Sequence, residues 1–288
     1  MVTVLFDGIA WGTLLFVLAV GLSVTLGLMN FVNLAHGAFA MLGGYVTVVM
    51  LNRFGVPFLL CLPAAALAAG AAGAILERTL YRRLYEGASH LDQVLFSIGL
   101  VFMAMALADF IMGSQQQIVH MPAFLRGQVR LMPGVEVGVY RLFLIASCGA
   151  TALVLHFALV RTRFGSRLRA GVDNARTARG LGIDVERVFA LTFAAGSALA
   201  GLGGALGVEI LGLDPTFPVK YMVFFLIVVA VGGSGTVTGP LLASLVLGVC
   251  DAVGKYYLPQ TGAFIIYAVM VAVLILKPQG LFGRAAAR

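Results

Sequence analysis

Long apolar runs separated by short polar ones dominate this chain. Nine of them read as helices, near 8–28, 37–52, 56–76, 93–113, 140–160, 188–208, 219–233, 237–257 and 262–277. A helix needs about 20 apolar residues to cross a bilayer. The second and seventh runs are short and read as partial crossings or halves of interrupted helices, so eight to ten spans are expected. Runs such as LFLIASCGATALVLHFALV are apolar on every face, whereas barrel strands alternate apolar and polar residues. The expected fold class is all-α: a polytopic transmembrane helical bundle, with short or broken helices, forming one domain over 1–288. Segment 114–139 carries Val, Gly and Pro punctuation that predicts a small hairpin cap.

Composition strengthens this reading. The chain has 288 residues, 61% hydrophobic and only 11% charged, with a mean hydropathy of +1.02. Soluble domains are about 45–50% apolar and about 25% charged. That excludes an ordinary cytosolic enzyme, a disordered chain and a nucleic-acid binder, and makes membrane lipid the covering medium. Gly accounts for 36 residues, which suits closely packed membrane helices. Small residues recur every four positions at Ala65, Ala69, Gly73 and at Gly196, Ala200, Gly204. Cys61, Cys148 and Cys250 lie in apolar runs without metal-ligand or redox spacing and read as packing residues. The N-terminus shows no basic region and cleavage site of the signal-peptide kind.

Charge fixes the orientation. Loop 77–93, segment 161–187 and the tail from 277 hold thirteen of the 19 basic residues. An alternating threading puts all three on one side, which the positive-inside rule makes cytoplasmic. The net charge of +7 then reflects topology. The N-terminus falls outside if the first two spans both cross.

Catalytic signatures fail on inspection. GGSG at 232–235 is followed by Thr236, so the G-x-S-x-G elbow is absent. Gly248 to Lys255 approaches a P-loop, but its spacing is one residue too long and Tyr256 replaces the metal-binding Ser or Thr. The chain is therefore expected to be a non-enzyme that binds no cofactor and no metal itself.

Polar residues within apolar spans need a reason. Asn30, Asn33, His36 and Gly37 lie in GLMNFVNLAHGAFAMLGGY. Asn30 and Asn33 are three apart and can share a helix face, and Gly37 offers a place for the helix to break. One reading is a polar break lining a solute pathway, since broken helices are tolerated where they line cavities and often form substrate sites. The other is inter-helix hydrogen bonding or a cytoplasmic turn. Asp251 and Lys255 are four apart and are expected to pair. Asp109 and His156 read as interfacial, and Glu209 and Asp214 as loop residues at an entrance or in solvent.

Segment 161–187 is the strongest soluble feature. Its arginines include Arg169, Arg176 and Arg179. Arg169, Asp173 and Arg176 are spaced for one face of a helix, with Ala170, Asn174 and Ala178 on a neighbouring one. Gly182 can end that helix, and Asp184 can begin the next. A basic amphipathic helix on the cytoplasmic surface follows, serving either to fix orientation or to dock a partner.

At this point the residues resemble a known family. NFVNLAHGAFAMLGGY, LERTLYRRLY, RAGVDNARTARGLGIDVERVFALTFAAGSALAGLGGAL, VVAVGGSGTVTGPLLASLVLG and KPQGLFG are similar, in order and nearly end to end, to the first permease subunit of branched-chain amino-acid ABC importers. The resemblance implies a bacterial inner-membrane assembly. It would contain a second homologous permease, two ATP-binding subunits that carry ATP and Mg, and a periplasmic solute-binding protein. It also implies that Arg169–Gly182 is a coupling helix seated on the ATPase. The solute class implied is branched-chain or hydrophobic amino acids, with urea, short amides and aromatic acids as alternatives within the family. An autonomous secondary transporter or channel is the alternative outside it.

Overall fold

The computed structural model describes residues 1–29, 33–82, 89–132, 135–233 and 237–282. In chain order its helices are α1 (Val2–Met29), α2 (His36–Asn52), α3 (Phe58–Leu76), α4 (His90–Met112), α5 (Val139–Arg161), α6 (Arg163–Asp173), α7 (Ala175–Gly180), α8 (Val185–Leu211), α9 (Phe217–Gly232), α10 (Thr238–Tyr257) and α11 (Gly262–Leu276). Each of the nine apolar runs is one helix, and the protein is an all-α, multi-pass membrane bundle. Among the described residues six helices are long and apolar enough to cross a membrane. Helices α2, α9 and α11 have 17, 16 and 15 residues. At 1.5 Å per residue they fall short of a hydrocarbon core of about 30 Å.

The bundle is built around α1. Its residues from Leu14 to Val20 are completely buried, because α5, α8, α9 and α10 all pack on it. An all-round apolar helix belongs in such a central place. Several contacts between helices need glycine. A Cβ on Gly248 would lie 2.5 Å from the Gly12 backbone, and one on Gly204 would lie 1.8 Å from the Ala40 carbonyl. Both small-residue stripes are buried, but they serve different neighbours: Ala65, Ala69 and Gly73 of α3 meet Ser197 and Gly201 of α8, while Gly196 and Gly204 of α8 face Gly21 of α1 and Ala40 of α2, and each contact lets backbones approach closely. Helix α3 runs on into a π-turn, Glu77–Tyr81.

Contacts between loops sort the connections into two ends. At one, Arg82 pairs with Glu186. The tail packs on the end of α9, where the Leu281 N–H donates to the Val231 carbonyl at 2.7 Å. At the other, Arg141 pairs with Asp7. Here Asn52 donates to the Ile118 carbonyl at 2.7 Å, and the Gln117 N–H donates to the Leu213 carbonyl at 2.8 Å. Among the described residues the first end holds ten basic and five acidic side chains, and the second six of each. The positive-inside rule marks the first end as the cytoplasmic one, and the Arg141–Asp7 pair puts the start of α1 at the other.

At the outer end, Gln128–Met132 (β1) and Val135–Gly138 (β2) form an antiparallel hairpin. Its Arg130–Glu136 cross-strand pair is bonded at 2.6 Å. The expected cap is thus present. Lys255 and Asp251 pair at 2.6 Å across one turn of α10.

Candidate functional site

Two places carry the sequence-derived candidates: the polar junction between α1 and α2, and the basic segment between α5 and α8. Asn30 lies outside the described residues. Asn33 stands in the turn before α2 and is only 1% exposed. Its Oδ1 accepts a hydrogen bond from the Tyr81 hydroxyl at 3.0 Å. Tyr81 is itself fully buried, with the Phe96 and Phe193 rings 5.5 and 4.8 Å away. His36 opens α2, 2% exposed, with Nε2 2.9 Å from the Leu18 carbonyl of α1. A carbonyl only accepts, so Nε2 carries the proton in this contact. The ring stands edge-on to Phe225, with centroids 6.3 Å apart.

Leu18 is eleven residues before the end of α1, about 16 Å along the helix. Helix α2 therefore starts at membrane depth, where an exposed helix end is costly unless protein covers it. Asn33 and His36 supply that cover, tying the start of α2 to α3 and to α1.

Two details differ from the sequence reading. Asn33 is not on a helix face, because the chain leaves helical geometry before His36. Gly37 is not the break either: it sits in the first turn of α2, where a Cβ would lie 3.0 Å from Pro218. Its small size serves a close approach, and the turn at 33–35 makes the break.

The basic segment forms two helices in place of the single one expected over Arg169–Gly182. Asn174 leaves helical geometry at φ −156°, ψ 95°, and its side chain caps α7 by accepting from the Thr177 N–H at 2.9 Å. A short polar side chain favours that capping role over a helix interior. The face drawn through Arg169, Asp173 and Arg176 is therefore split, with Arg169 and Asp173 on α6 and Arg176 and Arg179 on α7. The ends match expectation. Gly182 has φ +80°, and Asp184 caps α8 by accepting from the Arg187 N–H at 3.0 Å.

Helix α6 buries Gly165, Leu168 and Gly171 and turns its charges outward. A Cβ on Gly165 would overlap the Leu159 carbonyl at 1.9 Å, so the sharp α5–α6 corner requires glycine. Arg169 donates to that same carbonyl at 2.5 Å and locks the corner. Arg161, Arg163, Arg167, Arg176 and Arg179 are exposed, and among the described residues none has a carboxylate partner. Beside them Leu181 is 77% exposed. The result is a rigid, positively charged platform with one apolar knob at the cytoplasmic end.

Sequence reasoning missed Tyr81 and Leu18, the partners of the junction. Tyr81 figured only inside LERTLYRRLY, and nothing in an apolar run marks the one carbonyl that a distant histidine will use.

The family model described as branched-chain amino acid transport system / permease component matches residues 4–274. The chain belongs to that family. The high-affinity branched-chain amino acid transport system permease protein BraD of Pseudomonas aeruginosa is 27% identical, over 97% of this chain and 95% of its own. The probable branched-chain amino acid transport permease protein LivH of Methanocaldococcus jannaschii is 28% identical, over 97% and 92%. The permease protein LivM of Escherichia coli is 26% identical over 92% of this chain and 67% of its own length. No solved structure gives a significant match.

Proposed function

We propose that the protein is the membrane permease subunit of an ATP-binding-cassette importer for branched-chain and other hydrophobic amino acids. A periplasmic binding protein delivers the solute, and the subunit sits in a bacterial inner membrane. The observation that carries the reading is the α6–α7 platform: a capped, arginine-rich surface on the cytoplasmic end whose exposed Arg161, Arg163, Arg167, Arg176 and Arg179 have no carboxylate partner among the described residues. Such a surface suits an acidic groove on a motor protein. The chain itself is read as non-catalytic, with ATP and Mg held by two partner subunits. LivH and LivM of Escherichia coli, each named a permease protein of a high-affinity branched-chain amino acid transport system, both resemble this chain, which supports a related second permease as partner.

In this reading, closure of the ATPases pushes on α6 and α7. Helix α8, which packs on α6 and also on α1, α2 and α3, carries the push to the membrane-depth junction at Asn33, His36 and Gly37. There the covered end of α2 lies beside the solute path. The test is co-reconstitution with the ATPase and binding-protein subunits in vesicles. Leucine, isoleucine or valine is expected to stimulate ATP hydrolysis and uptake together. Stimulation by urea, short amides or aromatic acids alone would change the solute assignment. Ion-gradient-driven uptake by the purified chain alone would replace the reading with an autonomous transporter.

A further inference from the structure

Lys277 to Phe282, the start of the motif KPQGLFG, fold back from α11 onto the end of α9. Pro278 and Gly280 hold the second and fourth places of a tight turn, in which the Gly280 N–H donates to the Lys277 carbonyl at 2.9 Å. Tight turns favour those two residues in those places. Gly280 is buried, with φ +78°, and a Cβ on it would lie 2.7 Å from both the Ala230 carbonyl oxygen and the Gly233 nitrogen. Past it, the Leu281 N–H donates to the Val231 carbonyl at 2.7 Å, and the Phe282 N–H to the Gly232 carbonyl at 3.3 Å. A helix leaves its last four carbonyls without partners of its own, and the tail supplies donors to two of them on α9. These contacts are to main-chain atoms, so they fix where the end of α9 sits.

Helix α9 leads from there to the junction. Phe225 lies six residues before Val231, about 9 Å along the helix. Its ring is the one that stands edge-on to His36. Pro218, two turns further on, is the residue that Gly37 approaches. Both partners belong to the first turn of α2.

We propose that the tail is a clamp that sets the position of α9, and through it the Phe225 ring over His36, with Gly280 and Leu281 as positioning residues. Its bearing on solute passage rests on the function proposed above, in which the junction lies beside the solute path; the clamp itself does not.

The test is proton exchange at His36 Nε2 in the full chain, made with isotope-labelled histidine and held in nanodiscs. Leu281→Pro removes the N–H that bonds to Val231. It should speed exchange about fivefold, the effect of one ordinary hydrogen bond on an opening equilibrium. Leu281→Ala keeps that N–H and loses only side-chain packing, and should leave the rate nearly unchanged. Gly280→Ala drives a Cβ into the end of α9 and serves if Leu281→Pro does not fold. It should act as the proline does, whereas Gly55→Ala, also at positive φ but with nothing within 4 Å, should not. Unchanged exchange in both Leu281→Pro and Gly280→Ala, or equal acceleration by Leu281→Ala or Gly55→Ala, would overturn the clamp. In the reconstituted transporter, solute taken up per ATP hydrolysed should fall in Leu281→Pro and hold in Leu281→Ala. Faster exchange with undiminished uptake would uphold the clamp and count against the junction as part of the solute path.

Discussion

Reversing two charges on the platform gives the sharpest test of how energy enters this subunit. Arg176 and Arg179 lie on α7, exposed and without carboxylate partners among the described residues. Helix α7 is held by the Asn174 cap and by burial of Ala178. Neither feature involves the arginine side chains, so the double variant Arg176→Glu/Arg179→Glu should change folding stability by no more than about 0.5 kcal/mol. Against an acidic groove, the same change turns attraction into like-charge repulsion, which costs several kcal/mol. Taking about 3 kcal/mol, and about 1.4 kcal/mol per tenfold, the ATPase should bind at least 100-fold more weakly. The assay compares ATPase affinity and solute-stimulated hydrolysis in nanodiscs with thermal unfolding of the permease alone. Arg130→Glu on the outer hairpin serves as control, because it alters charge at the opposite end. An unchanged affinity would refute the docking role. Equal weakening by Arg130→Glu would show a non-specific field effect.

The packing makes three further predictions. Tyr81→Phe leaves the buried Asn33 amide oxygen without its donor, and an unsatisfied buried group costs about 1–3 kcal/mol. Thermal unfolding should report that loss, and Asn33→Leu combined with it should cost less than the sum of the single changes. Asn174→Ala removes the cap of α7 and should loosen that helix by about 1 kcal/mol, seen as faster amide exchange over 175–180 with α8 unaffected. Gly204→Leu forces apart backbones that now meet at Ala40, and overpacking of this kind costs about 1–3 kcal/mol, measured as a lowered melting temperature.

Element identity was legible because the length of an apolar run is itself the signal for a membrane helix. The start of α8 was also legible, since Asp184 and Gly182 are local devices that act on their own neighbours. The split at Asn174 was missed, although Asn followed by Thr177 is an N-cap spacing, because the regular arginine pattern was read through it. The Ser89–Asp92 capping box that starts α4 was likewise written in the chain and passed over. Other features could not be read at all. The bond from His36 to Leu18 depends on which face of α1 meets α2, and in an all-round apolar helix no face is marked. The loose packing of α4 could not be read either, because its middle, from Ile98 to Ala108, is apolar on every face and suits lipid and protein contact equally well.

How a push at the platform could reach the α1–α2 junction follows from where the packing is tight and where it is not. Gly171 of α6 faces Val185 and Phe189, in the first turns of α8. Phe193, one turn further, touches Tyr81 on one side and Phe39 of α2 on the other, with centroids 4.8 and 6.0 Å apart. Beyond it the Gly204–Ala40 contact brings two backbones too close for either helix to slide past the other. Close-packed interiors transmit displacement and do not absorb it, so α2 and α8 should move as one body when α6 is displaced. Helix α4 lacks such contacts and is the element free to lag behind. Motion of the α2–α8 body would therefore change the spacing between α2 and α4, which touch only sparsely.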